Sequence, residues 1–162
     1  MYYFNLYLHI LSAFLWLGGM LFFAAVAAPI LRRVEPPSLR SQLFTRLGEG
    51  FRVAGWIAIT ILLITGVANL AFRGWLESAL QGNAAFWSSR PGRMLIVKLS
   101  CVFAMVVLGA IHDFVLGPRA GRLEAGSPEA TRVRRQAAWL ARANAILGLI
   151  LIFASLRLAR GG

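Results

Sequence analysis

Four ionisable side chains stand inside long apolar stretches of the sequence: His9, Lys98, His112 and Asp113. His9 and His112 are the only histidines, and Lys98 is the only lysine, because every other basic residue is arginine. Ionisable groups are costly within a lipid bilayer and commonly mark a binding or transport site. We therefore take His9 and Lys98 as the first candidates for binding chemistry.

Sulfur-containing side chains share helical faces with these residues, because a three-four spacing repeats along two of the apolar stretches. The face on the third stretch carries Met94, Lys98, Cys101, Met105, Leu108 and His112. The face on the first stretch carries His9, Ala13, Trp16 and Met20. Thioether, thiol and imidazole groups are the ligands that suit Cu(I). The pattern predicts a metal site whose ligands are His9, Met20, Cys101 and Met105. The alternative is packing, since methionine fills gaps in cores and a free cysteine behaves as a small hydrophobe.

The elements that must position these residues are membrane-spanning helices. Of the 162 residues, 59% are hydrophobic and 14% are charged, whereas soluble domains average about 45–50% apolar and about 25% charged residues. A span needs about 20 apolar residues, and four segments reach that length: Phe4–Leu31, Val53–Phe72, Met94–Leu116 and Trp139–Leu158. We predict an all-α integral membrane protein, a four-transmembrane-helix bundle that forms a single domain over residues 1–162 and has the lipid bilayer as its main partner.

The arginines predict the orientation of the bundle. Eleven lie in or beside the first and third loops, and five lie in or beside the middle loop and the C-terminus. Positive residues concentrate on the cytoplasmic side, so loops one and three are predicted in the cytoplasm and both termini outside. This N-out, C-out topology suits a multi-pass protein of a bacterial-type inner (plasma) membrane. Despite the net charge of +11, we expect no nucleic-acid partner, because the arginines cluster between apolar runs.

Counting back from the cytoplasmic arginines predicts the depth of each candidate. His9 is 23 residues before Arg32, and Lys98 is 21 before Arg119, which places both at one level near the outer face. His112 is seven residues from Arg119, so it is predicted near the inner face, about 24 Å from His9 along the membrane normal. The two histidines are therefore not expected to ligate one metal ion or to hold one haem between the first and third helices.

Two further groups are predicted near the inner face. His112 and Asp113 have a plain interpretation as a polar pair that Arg52 or Arg142 neutralises at the membrane boundary. The second group is an apolar helical face before the second span, which is predicted to lie at the membrane interface. This face carries Leu39, Leu43, Phe44 and Leu47.

A repeat with a period of 89 residues relates the two halves of the chain. Four pairs of residues are separated by this distance: His9 and Lys98, Pro29 and Pro118, Arg33 and Arg122, and Glu35 and Glu124. Such a repeat predicts two helix hairpins in parallel orientation, as in some transporter folds.

Three of the apolar runs are similar to those of a known family. The first span, LHILSAFLWLGGMLFFAAVAAPILRR, resembles the opening span of copper resistance D-like (CopD) membrane proteins. The run FRVAGWIAITILLITGVANLAFRG resembles their second span, and RMLIVKLSCVFAMVVLGA resembles their lysine-bearing third span. A more distant likeness is to the membrane protoporphyrinogen oxidase of bacterial haem synthesis. His9, Trp16 and Lys98 are the positions that carry over in either case.

These resemblances imply two functions. The copper family implies uptake or delivery of copper from the outer side, and the first hypothesis is therefore binding of Cu(I) and its passage across the inner membrane. The oxidase implies a haem b site with His9 as an axial ligand, Trp16 beside the haem, and Lys98 as a second ligand or a propionate partner. A third hypothesis is a structural subunit of a larger membrane complex or a homo-oligomer. The sequence leaves open whether the protein is an enzyme.

Overall fold

The computed structural model describes residues 1–124 and 127–160, and within those ranges the chain forms helices and no strand. The helices are α1 (Tyr2–Leu31), α2 (Pro37–Phe72), α3 (Leu76–Leu80), α4 (Ala84–Ser88), α5 (Arg90–Arg122) and α6 (Pro128–Ala159). Four of them, α1, α2, α5 and α6, are long and apolar enough to cross a membrane. This arrangement confirms the predicted all-α, four-transmembrane-helix bundle.

The helices α2 and α6 extend well beyond the predicted spans. The 36 residues of α2 rise about 54 Å, whereas the hydrocarbon core of a bilayer is about 30 Å thick. The segment that was predicted at the membrane interface is therefore the first part of α2 and not a separate element. In the same way, α6 begins at Pro128, eleven residues before the predicted start of the fourth span.

The starts of these helices follow from local sequence chemistry. Proline occupies the first or second position of α2, α5 and α6, where its missing N–H costs nothing and its fixed φ suits a helix. Ser89 caps α5 by accepting a hydrogen bond from the Gly92 N–H, and Ser127 caps α6 by accepting one from the Ala130 N–H. Such caps satisfy N–H groups that have no partner within the helix.

The bundle packs as two helix hairpins. The most extensive packing joins α1 to α2 and α5 to α6, and α6 also contacts α1. The buried core lies between the hairpins, where aromatic, aliphatic and sulfur-containing side chains meet. Its buried members are Trp16, Leu17, Ala58, Ile59, Cys101, Met105 and Leu151. Large apolar side chains such as Phe14, Phe103 and Phe153 are exposed on the outside of the bundle, as expected of a surface that contacts lipid.

Two prolines distort the helices in the same way. A π-helical segment, Phe23–Ala27, precedes Pro29 in α1, and another, Ile111–Leu116, precedes Pro118 in α5. In each case the N–H of the residue before the proline bonds to the carbonyl five residues earlier. The proline then has no N–H to continue the pattern. Pro29 and Pro118 are one of the pairs in the predicted 89-residue repeat, so the two halves share this distortion as well as the hairpin.

Candidate functional site

His9 is held by a threonine of the neighbouring helix. Its Nδ1 lies 2.8 Å from Thr65 Oγ1, and the Thr65 hydroxyl donates its proton to the Ile61 carbonyl at 2.6 Å. A hydroxyl has a single proton to donate, so while Thr65 donates to Ile61 it accepts from the imidazole, and Nδ1 then carries the hydrogen. The other ring nitrogen, Nε2, has no hydrogen bond within the described ranges. In this tautomer the imidazole presents a free Nε2 lone pair, which is the form of histidine that binds metals.

Two asparagines extend this contact into a polar network between α1 and α2. Asn5 Nδ2 donates to the Thr65 carbonyl at 3.1 Å and to Asn69 Oδ1 at 3.0 Å. Asn5 is four residues before His9, and Thr65 is four before Asn69, so each pair lies on one helical face. Sequence reasoning missed this network because it considered only ionisable groups. The matched four-residue spacing of polar residues in two apolar spans is the signal that would have found it.

Small and basic residues surround the imidazole. A Cβ placed on Gly66 would stand 3.5 Å from His9 Cε1, so glycine at this position leaves space along one edge of the ring. Lys98 of α5 is half-buried and close enough to His9 for their charges to interact, and Arg73 interacts with Lys98 in the same way. The fold thus brings His9 and Lys98 to one region, with Arg73 as an additional cation that the sequence did not single out.

Trp16 lies deeper than the histidine. It is 5% exposed and belongs to the buried core, and its Cδ1 would be 3.8 Å from a Cβ on Gly55. Seven residues separate it from His9, which is a rise of about 10.5 Å along α1. Trp16 therefore packs against α2 at a level below the polar network.

The sulfur-containing residues meet in the core and not at His9. Met105 is fully buried and Cys101 is 7% exposed, while Met20 packs against the same cluster. Eleven residues separate Met20 from His9, a rise of about 16.5 Å. The predicted nitrogen ligand thus lies apart from the three predicted sulfur ligands, which belong to the buried core or pack against it. Within the described residues, no three or more His, Cys, Asp or Glu side chains form a group that could hold a metal ion.

A second polar cluster joins α2 to α5 around Asp113. The carboxylate accepts from His112 Nδ1 at 2.9 Å and from Trp56 Nε1 at 3.0 Å. Arg52 donates to the main-chain carbonyl of Asp113 at 3.4 Å, and the rings of Trp56 and Phe114 stack at 5.4 Å between centroids. Among the described residues Arg52 thus contacts the main chain of Asp113 and forms no ion pair with its carboxylate, which is held by the imidazole and the indole.

Arg142, the other predicted partner of His112 and Asp113, contacts a different residue. Arg142 stacks over the ring of Trp139 at 5.3 Å. The sequence could not identify Trp56 as the partner of Asp113, because an indole N–H gives no signal in hydropathy or charge.

The two histidines lie in separate sites. Their partners Thr65 and Trp56 are nine residues apart on α2, which is a rise of about 13.5 Å. This distance is far beyond the span of ligands around a single metal ion, whose bonds to nitrogen are about 2 Å long. The chain therefore carries one polar cluster at His9 and another at Asp113, with the buried core between them.

The helices and these clusters define a multi-pass α-helical membrane protein with polar sites at two levels. The chain belongs to the copper resistance protein D family, whose sequence profile matches residues 45–158. The matched region contains Lys98, Cys101, Met105 and the Asp113 cluster, while the whole of α1, including His9 and Met20, precedes it.

Two relatives were found among curated proteins. An uncharacterized protein of Aquifex aeolicus (strain VF5) is 31% identical over 157 residues, which is 96% of this chain and 94% of that protein. The copper resistance protein D of Pseudomonas syringae pv. tomato is 31% identical over 112 residues, which is 68% of this chain and 33% of that protein. The chain therefore matches only about a third of the Pseudomonas protein. No solved structure matches, and none of the comparisons shows the likeness to protoporphyrinogen oxidase.

Proposed function

We propose that this protein binds Cu(I) at His9 and passes it towards the sulfur ligands of the core. The observation that supports the proposal best is the hydrogen bond between His9 and Thr65, which leaves Nε2 free and fixes the ring. Metal-binding histidines commonly donate the other ring N–H to an oxygen atom that orients them. Met20, Cys101 and Met105 then supply the soft ligands that Cu(I) prefers. Membership of the copper resistance protein D family supports copper as the ion.

Lys98 places a condition on this proposal. An ammonium group near His9 repels a bare cation, and the repulsion grows in a medium of low dielectric constant. Copper binding at His9 therefore requires Lys98 to offer its neutral amine or to hold an anion that accompanies the metal. In either case, the copper site tolerates methionine in place of Lys98, because a thioether is itself a Cu(I) ligand.

The test is Cu(I) retention by the purified protein against a calibrated Cu(I) chelator. We expect His9→Ala to weaken Cu(I) binding at the His9 site at least tenfold, because the substitution removes the only histidine of that site. His112→Ala is the matched control, since it removes the other imidazole from the separate Asp113 cluster. Equal retention by wild type and His9→Ala would refute His9 as the entry ligand.

The same region supports a second candidate function, a haem b redox protein or oxidase. A free Nε2 suits an axial ligand to iron, Lys98 and Arg73 are cations that suit propionates, and Gly66 leaves space beside the ring. When bound, a haem would supply one-electron chemistry, and the residues of this chain would hold and orient it. Lys98→Met separates the candidates: haem binding is lost in the variant if haem is the ligand, whereas copper binding persists if copper is. An absorption spectrum before and after dithionite reduction measures the haem content of both proteins.

We also propose the orientation of the chain and its domain organisation. Residues 1–162 form one transmembrane domain in the inner membrane, with both termini outside and loops one and three in the cytoplasm. The excess of arginine at those two loops supports this topology. Single cysteines placed at Ser38 and Ser78, in a Cys101→Ala background, test it with a membrane-impermeant thiol reagent. Labelling of intact cells is expected at position 78 and not at position 38, and the reverse pattern would invert the topology.

A further inference from the structure

Asn144 is a buried polar residue of α6 that the proposed function does not yet use. Its side chain is 7% exposed, and its Nδ2 donates a hydrogen bond to Met20 Sδ at 3.6 Å. Its Oδ1 is buried and has no hydrogen-bond partner among the described residues. An unpaired carbonyl oxygen in an apolar interior is costly, and a leucine would fill the same space without that cost. The amide therefore needs an explanation other than packing.

The surroundings of Asn144 bring both core methionines to one face of α6. Gly148 follows Asn144 by one helical turn, and a Cβ on Gly148 would stand 3.5 Å from Met105 Cε. Met20 lines the narrow cleft beside Gly148, and this cleft is too small to hold a water molecule. On the side of α5, a Cβ on Gly109 would be 3.9 Å from Asn144 Nδ2. The two thioethers and the amide thus converge where three helices meet.

We propose that Met20, Met105 and Asn144 form an intramembrane binding site for a soft monovalent cation. The inference rests on the proposed function, because it names the site at which Cu(I) pauses after leaving His9. The Met20 sulfur has two lone pairs, so it can accept the amide N–H and still bind the ion. Thioethers select Cu(I) over hard cations. The unpaired amide oxygen supplies the dipole that a cation needs after it has left water.

This proposal assigns two tasks to Asn144. Its N–H orients the Met20 sulfur, and its oxygen faces the ion. A purely structural interpretation gives it one task, which is to tether α6 to α1 through Met20. The two interpretations differ in the effect of Asn144→Leu on ion binding. The tether alone predicts a lower unfolding temperature for the variant with ion binding intact. The ion site predicts weaker ion binding, whatever the change in the unfolding temperature.

The experiment uses Ag(I), a soft monovalent ion that does not change oxidation state, with the full-length protein in detergent. Ag(I) binding and thermal unfolding are measured for wild type, His9→Ala, Met20→Leu and Asn144→Leu, with Met94→Leu as the control thioether variant. We expect Met20→Leu and Asn144→Leu each to weaken Ag(I) binding at the intramembrane site at least tenfold. That site should remain intact in His9→Ala and Met94→Leu.

Three results would overturn the inference, and they are distinguishable. If wild type binds no Ag(I) and no Cu(I), the proposed function fails together with this site. If His9→Ala loses an ion while Met20→Leu and Asn144→Leu bind as wild type does, only the intramembrane site is refuted. A lower unfolding temperature of Asn144→Leu with full ion binding would assign Asn144 to the tether.

Discussion

The chemistry of His9 depends on one hydroxyl group. When Thr65 donates to the Ile61 carbonyl, it accepts from His9 Nδ1, which favours the tautomer protonated at Nδ1 and holds the ring. In a bilayer the hydroxyl also satisfies a ring N–H that has no water to bond. The residue that holds the His9 ring is thus on another helix, 56 residues away in the sequence.

Thr65→Val tests this dependence, because valine keeps the shape of threonine and removes the hydroxyl. We expect Cu(I) affinity to fall about 10–100-fold, as is typical when the partner of a metal-binding histidine is lost. Stability should fall by about 1–2 kcal/mol, since the imidazole N–H is left unpaired. Competition with a Cu(I) chelator and thermal unfolding measure the two effects.

Thr60→Val is the matched control for that substitution. The Thr60 hydroxyl donates only to the Trp56 carbonyl of its own helix, and the residue is exposed. Equal Cu(I) affinities of the Thr65 and Thr60 variants would show that the hydroxyl of Thr65 has no part in copper binding.

The contact between α2 and α5 concentrates at the Asp113 cluster. Two hydrogen bonds and one aromatic pair join the helices there, whereas most of the inter-helix packing lies within the hairpins. The indole of Trp56 contributes both an N–H to the carboxylate and a ring against Phe114. The cluster therefore holds the two hairpins together on this side of the bundle.

Trp56→Phe separates the two contributions of the indole. Phenylalanine retains an aromatic ring against Phe114 and loses the N–H, so one oxygen of Asp113 is left without its partner. The Asp113 side chain is partly buried, at 24% exposure, so we expect a loss of about 1 kcal/mol in stability from the unsatisfied acceptor, measured by thermal unfolding. Trp139→Phe, at a residue that is 60% exposed, should change stability by less than about 0.5 kcal/mol. Similar losses in both variants would contradict a specific role of the Trp56 N–H.

The distortion of α5 explains why Arg52 reaches a main-chain atom. The Gly117 N–H bonds to the His112 carbonyl, so the same pattern would pair the Asp113 carbonyl with residue 118. That residue is proline and has no N–H. Arg52 supplies the missing donor from α2.

A double-mutant cycle tests whether Arg52 replaces the main-chain N–H that Pro118 lacks. In the wild-type background we expect Arg52→Met to cost about 1 kcal/mol. In a Pro118→Ala background the cost should be at least about 0.5 kcal/mol smaller, since alanine offers a main-chain N–H to the same carbonyl. Chemical unfolding of the four proteins gives the coupling energy. A coupling energy of zero would mean that Arg52 does not compensate for the proline.

The four helices could be predicted from the sequence because apolar length is a strong signal, but their ends could not. Hydropathy marks where α2 and α6 enter lipid. It does not mark where helix formation begins, and Pro37 and Pro128 start these helices in polar sequence. The distances of His9 and Lys98 from the arginines of the loops predict a common level for the two residues, and the electrostatic effect of Lys98 on His9 agrees with that prediction. The partners that define their chemistry, Thr65 and Arg73, depend on how the helices rotate about their axes, which composition does not specify.

The molecule as a whole separates its polar residues into levels. The His9 network lies at one level, the sulfur-containing core and Asn144 at the next, and the Asp113 cluster beyond them. Apolar side chains cover the outside of the bundle, where lipid replaces water. The proposed function uses this order, since His9 would receive the ion and the sulfur-containing core would bind it next.

The most direct test of the account is Cu(I) flux into proteoliposomes that contain the purified protein and a trapped Cu(I) chelator. The account predicts chelator-bound copper to accumulate with wild-type protein. It predicts at least tenfold slower accumulation with His9→Ala, while His112→Ala should transport at a rate closer to that of wild type. Accumulation at the same rate in wild-type, His9→Ala and protein-free vesicles would contradict the claim that His9 admits copper to a path through this bundle.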